Sequence, residues 1–495
     1  MSRGSEDVVM VDEKKLTVVF VHGWSVTHTE TYGEFPGRLR KEAQRDGGPE
    51  IDIRNIWLGK YVSFHDEVRL PDISRAFDAA IRHELSDVLK DGGQFACITH
   101  STGGPVIRDW WRRHHLNSGP CPMSHLIMLA PANFGSALAQ LGKERIGRLK
   151  SWFNGVEPGQ GVLEWLELGS PEAWTLNKSW ICNGIAPNES GVFLFALTGH
   201  SIDHAFYDHV NSYTGELGSD GVVRAAAANL NATYVELAQQ TGKKGDNLTV
   251  VSTRTAPQTA FRILPHLAHS GKDRGIIRSI KNDDKPHVTV DSALRCLKVK
   301  TQREYEDLCK AFTAETAQVQ AEGIIETQSQ LLLPDNKRIR DPYSMVIFRL
   351  CDDQKNDIND YDVVFTAGKE SSPNHLPKGL ISDRQRNSIN RNYLTFFLNY
   401  GILTGAEAPG LRPAVKREAE LIGLKINARP DKGFVHFDEA TLRSTAGKLG
   451  AFLRPNQTMM VDVVLKRVVH EGTFRMTKDT TPTSFKDVDP GDRLP

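Results

Sequence analysis

One hexapeptide constrains this chain more than any other: Thr99-His100-Ser101-Thr102-Gly103-Gly104. It directly follows a short apolar, β-rich run, Phe95-Ala96-Cys97-Ile98, and directly precedes a stretch, Val106 to His114, that reads as helix. A serine in so sharp a strand-to-helix turn is pushed into a strained, exposed position at the carboxyl edge of a sheet. The helix behind it starts with backbone N–H groups that face any negative charge developing there. An ordinary Ser/Thr helix cap after a strand would use the same residues, so the surrounding segments have to decide between the two.

Those segments alternate. Leu16 to Val21, Phe95 to Ile98, Leu126 to Leu129 and Val192 to Leu197 are short apolar runs of the kind buried on both faces of a sheet, and Ala260 to Leu264 reads as a fifth. Between them, Ile73, Phe77, Ala80, Ile81 and Leu85 recur at helical spacing. Alternation of this kind predicts a mostly parallel α/β sheet with helices on both faces. Residues 140–190 fit it poorly: Trp152, Trp165, Trp174 and Trp180 crowd there among many Gly and Pro, with no clear strand. The segment reads equally as a buried helical insertion or as a cap over a site. Tyr305 to Gln330 reads as helix, and beyond it the texture becomes β-rich. Runs at 344–350, 361–365 and 459–465 look like strands, as does Tyr393 to Leu403. The expected division is residues 1–330, with the insertion at about 140–190, and a smaller β-rich domain over 331–495.

Composition removes whole function classes. Lys plus Arg and Asp plus Glu are each 61, so the formal net charge is zero. That argues against a nucleic-acid partner held by a basic surface, and against a polyacidic disordered chain. No stretch approaches 18 uninterrupted apolar residues, so a spanning helix is not expected. Met1 to Lys15 is polar and lacks a secretory pattern, and the six cysteines are dispersed without a C-x-x-C. The expectation is a chain made in a cytoplasm with reduced thiols; export by a signal-independent route stays open.

By its context the hexapeptide resembles the nucleophile elbow of the α/β-hydrolase superfamily, G-x-S-x-G, with Thr99 where the first glycine is usual. Four more segments follow that family's order. Val18 to Val21 runs into His22-Gly23-Trp24-Ser25, where the family supplies one N–H of an oxyanion hole. The resemblance therefore implies donors at Trp24, or Ser25, and at Thr102. Pro131-Ala132-Asn133-Phe134-Gly135-Ser136 resembles the segment that lipases carry after the next strand. Ser219-Asp220-Gly221-Val222-Val223 resembles the turn that carries the acid, with Asp203 as the alternative. Pro265-His266-Leu267-Ala268-His269-Ser270-Gly271 offers the histidine: His269 first, then His266, with His287 third. The implied catalytic set is Ser101, Asp220 and His269, acting on acyl esters with no cofactor.

The elbow, the Pro-Ala-Asn-Phe-Gly-Ser segment and Ser-Asp-Gly-Val-Val look most like lipases and phospholipases. An apolar insertion at 140–190 would then line an acyl groove, with Trp152 and Trp165 against substrate and a membrane-surface contact. The length and the appended C-terminal part are similar to bacterial lipase effectors of the type VI secretion system, which implies a secretion apparatus and an immunity protein as partners. Competing readings are a soluble carboxylesterase or amidase, and an inactive hydrolase fold kept for binding. No metal is expected. Asp352, Asp353, Asp357, Asp360 and Asp362 crowd one loop as calcium sites do, but a solvated polar loop is far commoner, and no zinc motif is present.

Overall fold

The computed structural model describes residues 15–22, 31–62, 68–90, 92–116, 119–143, 159–185, 187–201, 216–240, 246–323, 325–330, 333–415, 422–443 and 449–470. Two sheets organise the chain. The first is built from β1 (Leu16–His22), β2 (Ile51–Trp57), β3 (Phe95–His100), β4 (Met123–Leu129), β5 (Phe193–Thr198) and β8 (Ala260–Ile263), in the order β2-β1-β3-β4-β5-β8. Every pairing in it is parallel. All five runs read as strands from their apolar residues lie in this sheet.

The inner strands β1, β3, β4 and β5 are mostly apolar because each serves two cores, whereas the edge strand β2 is half polar. Val19, Val21, Cys97, Leu126, Met128, Leu194 and Ala196 face one cluster, while Val18, Phe20, Ala96, Ile98, Ile127, Leu129 and Phe195 face the other. Period-2 geometry requires this split when helices cover both faces. The first cluster takes α2 (Leu70–Glu84) and α3 (Gly103–His114); the second takes α1 (Phe35–Arg45), α6 (Val288–Leu297) and α7 (Gln302–Glu322). Two further helices, α4 (Gln160–Leu166) and α5 (Pro171–Asn183), come from the tryptophan-rich insertion.

The second sheet shows where the expected division at 330 departs from the fold. β6 (Thr233–Gln239) and β7 (Leu248–Thr255) lie in sequence between β5 and β8, yet both leave the first sheet. They join β11 (Tyr343–Asp352), β13 (Ile381–Arg386), β14 (Tyr393–Asn399) and β18 (Thr458–Leu465) in the order β13-β14-β11-β18-β6-β7. The β-rich part therefore includes residues 233–255. β6 pairs in parallel with β18, Val235 opposite Val461, a contact between residues far apart in the chain that no local pattern announces. A smaller sheet of β12 (Tyr361–Ala367), β15 (Ile422–Ala428) and β17 (Ala440–Leu442) closes over one face. Phe348, Val461 and Leu237 of the large sheet pack with Phe365, Leu424 and Ile426 of the small one. Two antiparallel pairs are also present: β9 (Ile325–Gln330) with β10 (Leu333–Ile339), and β16 (Val435–Phe437) with β19 (Arg467–Val469).

Two boundaries move. The helix expected to reach Gln330 stops at Glu322, because Gly323 caps it and the next residues form β9. The strand expected to reach Leu403 ends at Asn399, whose side chain accepts the Ile402 N–H at 2.8 Å and starts a short helix.

The described part of the insertion, residues 159–185, packs between the two sheets. Trp165, Trp174 and Trp180 are all buried in the first core cluster, together with Tyr343, Ile347, Tyr393, Phe397 and Met460 of the second sheet. Trp174 packs edge-on against Tyr393 at 5.5 Å, and the Arg349 guanidinium sits over its ring at 5.6 Å. Trp165 is buried within this core rather than exposed at a surface; Trp152 lies outside the described residues. Among the described residues no helix is long and apolar enough to cross a membrane.

Candidate active site

The turn after β3 is strained at one residue. Ser101 has φ +54°, in the left-handed region that a non-glycine residue rarely adopts. Its N–H donates to Leu129 O at 2.9 Å, and its carbonyl accepts from Gly104 N at 3.2 Å and Ala132 N at 3.4 Å. The turn is thus pinned to the end of β4 and to the start of α3. It is also crowded: a Cβ on residue 104 would lie 2.9 Å from Pro131 Cβ and 3.2 Å from Met128 Sδ. Only glycine lets α3 start this close to the β4 end.

Thr99 is fully buried, and a Cβ on residue 103 would lie 3.1 Å from its Cβ. The space that the usual first glycine would leave is instead provided by Gly103. The departure from G-x-S-x-G is accommodated four residues later, and the strand–Ser–helix turn forms.

Three residues from three loops meet at this edge of the sheet. The Ser101 hydroxyl lies 3.1 Å from His269 Nε2, and His269 Nδ1 lies 2.9 Å from Asp220 Oδ2. A carboxylate can only accept, so Nδ1 carries the proton and Nε2 is left to accept from the serine. The other Asp220 oxygen accepts the N–H groups of Val222 at 3.0 Å and Val223 at 2.7 Å. The backbone closes the arrangement: His269 N–H donates to Asp220 O at 2.9 Å. Asp220 and His269 are buried, while Ser101 remains partly exposed.

The two alternative histidines are elsewhere. His266 is exposed, with φ +60°. His287 caps α6, its Nδ1 accepting the Thr289 N–H at 3.2 Å, and its Nε2 meets the Ser279 hydroxyl at 3.0 Å. Asp203, Trp24 and Ser25 lie outside the described residues. Thr102 is buried as the N-cap residue of α3, so its backbone sits at the positive end of that helix, next to the serine.

Two parts of the site were not expected from the sequence. His100 stands against His269, ring centroids 4.8 Å apart, and its Nε2 donates to His269 O at 3.3 Å. Burial, with the His269 charge adding to it, holds its pKa down to about 3, so it remains neutral beside the His269 ring. The second part is a strut from the β-rich half. Arg224, fully buried, is bonded to both Glu216 oxygens at 2.7 and 2.9 Å and to Asp383 of β13, and lies over the Phe397 ring at 4.2 Å. Glu216 and Arg224 flank Asp220 in sequence, so the second sheet grips the loop that carries it. His100 adjoins the serine and could have been questioned from sequence; the Asp383 contact spans 159 positions and had no signal.

The acidic loop is spoken for by protein donors. Asp352 accepts from Gln354 N, Asn356 N and Asn356 Nδ2; Asp357 from Asn392; Asp353 pairs with Lys466, and Asp360 and Asp362 pair with Arg429. Among the described residues no group of three or more metal-ligating side chains forms.

No protein-family model matches this chain, and no curated protein does. Solved structures do. Phospholipase PlaB from Legionella pneumophila, in complex with thio-NAD, is 44% identical over 95% of this chain and 98% of its own, with a TM-score of 0.84. A second structure of phospholipase PlaB from Legionella pneumophila is 46% identical over the same shares, with a TM-score of 0.83.

Proposed function

We propose, for a chain that belongs to the phospholipase PlaB family and is a serine ester hydrolase of the lipase and phospholipase type, that Ser101 is the nucleophile, His269 its base and Asp220 the acid that orients the imidazole. The observation that carries this reading is the unbroken hydrogen-bonded line from Ser101 through His269 to Asp220. His269 Nε2 takes the serine proton as the oxygen attacks the acyl carbonyl of a lipid ester. Asp220 stabilises the imidazolium that results. The oxyanion is met by the Thr102 N–H and by a donor from the loop after β1, at Trp24 or Ser25; one such donor is typically worth about 3 kcal/mol of barrier. Collapse breaks the ester C–O bond, and His269 returns the proton to the leaving alcohol. Water, deprotonated by the same imidazole, then releases the fatty acid and frees Ser101.

An insoluble substrate implies an encounter at a membrane surface. The cellular setting we propose is signal-independent delivery such as type VI secretion, with an immunity protein in the producing cell; loss of the protein from culture supernatants of a secretion mutant tests it. The catalytic reading is tested by a fluorophosphonate probe. Labelling of the parent and none of folded Ser101→Ala is expected, together with loss of lipid hydrolysis. Turnover retained by Ser101→Ala removes Ser101 from the mechanism. A series of acyl chain lengths separates the lipid hydrolase from a soluble esterase: better turnover of short esters at every concentration overturns the lipid assignment.

A further inference from the structure

The segment after β4, Pro131 to Ser136, gives no residue to the triad, yet it is bonded to two of the three loops that meet there. Ala132 N–H donates to Ser101 O at 3.4 Å. Phe134 N–H donates to Ala227 O at 3.0 Å and Asn133 Nδ2 to Ala228 O at 2.8 Å, just beyond the turn that carries Asp220. At the end of the segment the Ser136 hydroxyl donates to Val222 O at 2.6 Å, within that turn. Gly135 allows the reach: its φ is +90°, and a Cβ on it would lie 2.5 Å from Leu166 O. Ser136 N–H donates to the same Leu166 carbonyl at 2.8 Å, and Leu138 N–H donates to Ser136 Oγ at 3.2 Å. The serine oxygen is therefore held from two sides, and its own proton goes to Val222 O, which can only accept.

Val222 O and Val223 N belong to one planar peptide group. The N–H of that group donates to Asp220 Oδ1 at 2.7 Å, shorter than the 3.0 Å bond from Val222 N–H to the same oxygen. A donor on a peptide carbonyl polarises the group and strengthens the N–H at its other end. It also fixes the plane of the peptide, and with it the direction in which the N–H points. The two carboxylate oxygens are rigidly linked, so where Oδ1 is held decides how Oδ2 meets the His269 Nδ1 proton. Ser136, Val222, Val223 and Asp220 are all buried, so bulk water does not replace a bond left unmade.

We propose that Ser136 is a positioning residue for the hydrolysis: through the Val222–Val223 peptide it sets the carboxylate of Asp220 against His269. The inference rests on the reading of Ser101, His269 and Asp220 as the catalytic set. It gives the Pro131–Ser136 segment a task, which is to tie the nucleophile turn and the acid turn into one frame.

The test uses full-length Ser136→Ala, with a thermal melt to show that it is folded. On a p-nitrophenyl ester kcat should fall about tenfold, the scale of one buried hydrogen bond, with KM within twofold of the parent. Ser136→Thr and Ser136→Val are a second pair, equal in size and different only in the hydroxyl; the threonine variant should be at least threefold faster than the valine one, and this comparison holds where alanine disturbs packing. The decisive readout is the rate at which a fluorophosphonate labels Ser101, which stays measurable in slow variants. Ser136→Ala should slow labelling about tenfold in the parent and add no further slowing to Asp220→Asn, because a residue that acts through the carboxylate has nothing left to act on. A kcat for Ser136→Ala within twofold of the parent, a threonine variant no faster than the valine one, or an equal further loss on top of Asp220→Asn overturns the proposal. If Asp220→Asn does not itself slow labelling, it is the triad reading that fails, and the two failures are told apart.

Discussion

Asp220→Asn should leave a folded protein that has almost lost its chemistry, and the geometry sets how much. In the parent, Asp220 Oδ1 accepts two N–H groups at 2.7 and 3.0 Å, and Oδ2 accepts the His269 Nδ1 proton. An asparagine can satisfy one side only. With its oxygen kept on the two backbone donors, its NH2 faces His269 Nδ1. That nitrogen must then accept, which moves the ring proton to Nε2, where it opposes the Ser101 hydroxyl and cannot take its proton. Flipping the amide restores the tautomer but turns an NH2 toward two N–H donors. Two bonds to what had been a charged group are lost, roughly 1.5–3 kcal/mol each. The competent arrangement thus lies about 3–6 kcal/mol above the incompetent one, and kcat should fall about 10²–10⁴-fold. The assay is kcat on a p-nitrophenyl ester alongside a thermal melt. A folded variant with kcat within tenfold of the parent would refute the reasoning, since it would mean that the tautomer of His269 is not set by Asp220.

Three other outcomes follow from the packing. Gly103→Ala should cost roughly 1–3 kcal/mol of stability, because its Cβ would lie 3.1 Å from that of Thr99; Thr99→Gly should recover at least half of it in a double-mutant cycle measured by urea unfolding. Asp383→Ala removes one carboxylate from the fully buried Arg224 and should cost about 2 kcal/mol, with a measurable fall in kcat because the Asp220 loop loses its tie to β13. Acid should weaken the fold through His100: its pKa is held down to about 3 by burial and by His269. The unfolded chain therefore binds that proton near pH 6.5 and the folded chain does not. Stability is full above pH 6.5 and falls by at most about 1.4 kcal/mol per pH unit below it, toward pH 3. His100→Asn should flatten that slope in urea melts between pH 6.5 and 4, and an unchanged slope would assign the acid loss to other groups.

Much of the first half was legible in the linear sequence because its signals are local. A strand buried on both faces is mostly apolar, so the runs Leu16–Val21, Phe95–Ile98 and Val192–Leu197 declared themselves without alignment or structure. The serine turn was legible for the same reason: a strand, a small-residue turn and a helix start within twelve residues leave few conformations for Ser101. The order of Ser101, Asp220 and His269 came from motif context, and the fold brings those three side chains together. What only tertiary structure decided is where distant segments meet. Aromatic residues at helical spacing are the same whether they face lipid or a second sheet, and here Arg349 of β11 and Tyr393 of β14 cover Trp174, so that side chain is interior. β6 and β7 carry ordinary strand composition, and nothing in it says that their partner is β18, more than two hundred residues away. The tolerance of Thr99 in the elbow depended on a missing Cβ at Gly103. Patterns of one or two periods are written in the chain because short-range sterics enforce them. Pairings across many tens of residues are chosen by burial and by charge compensation in three dimensions, and these leave no periodic trace.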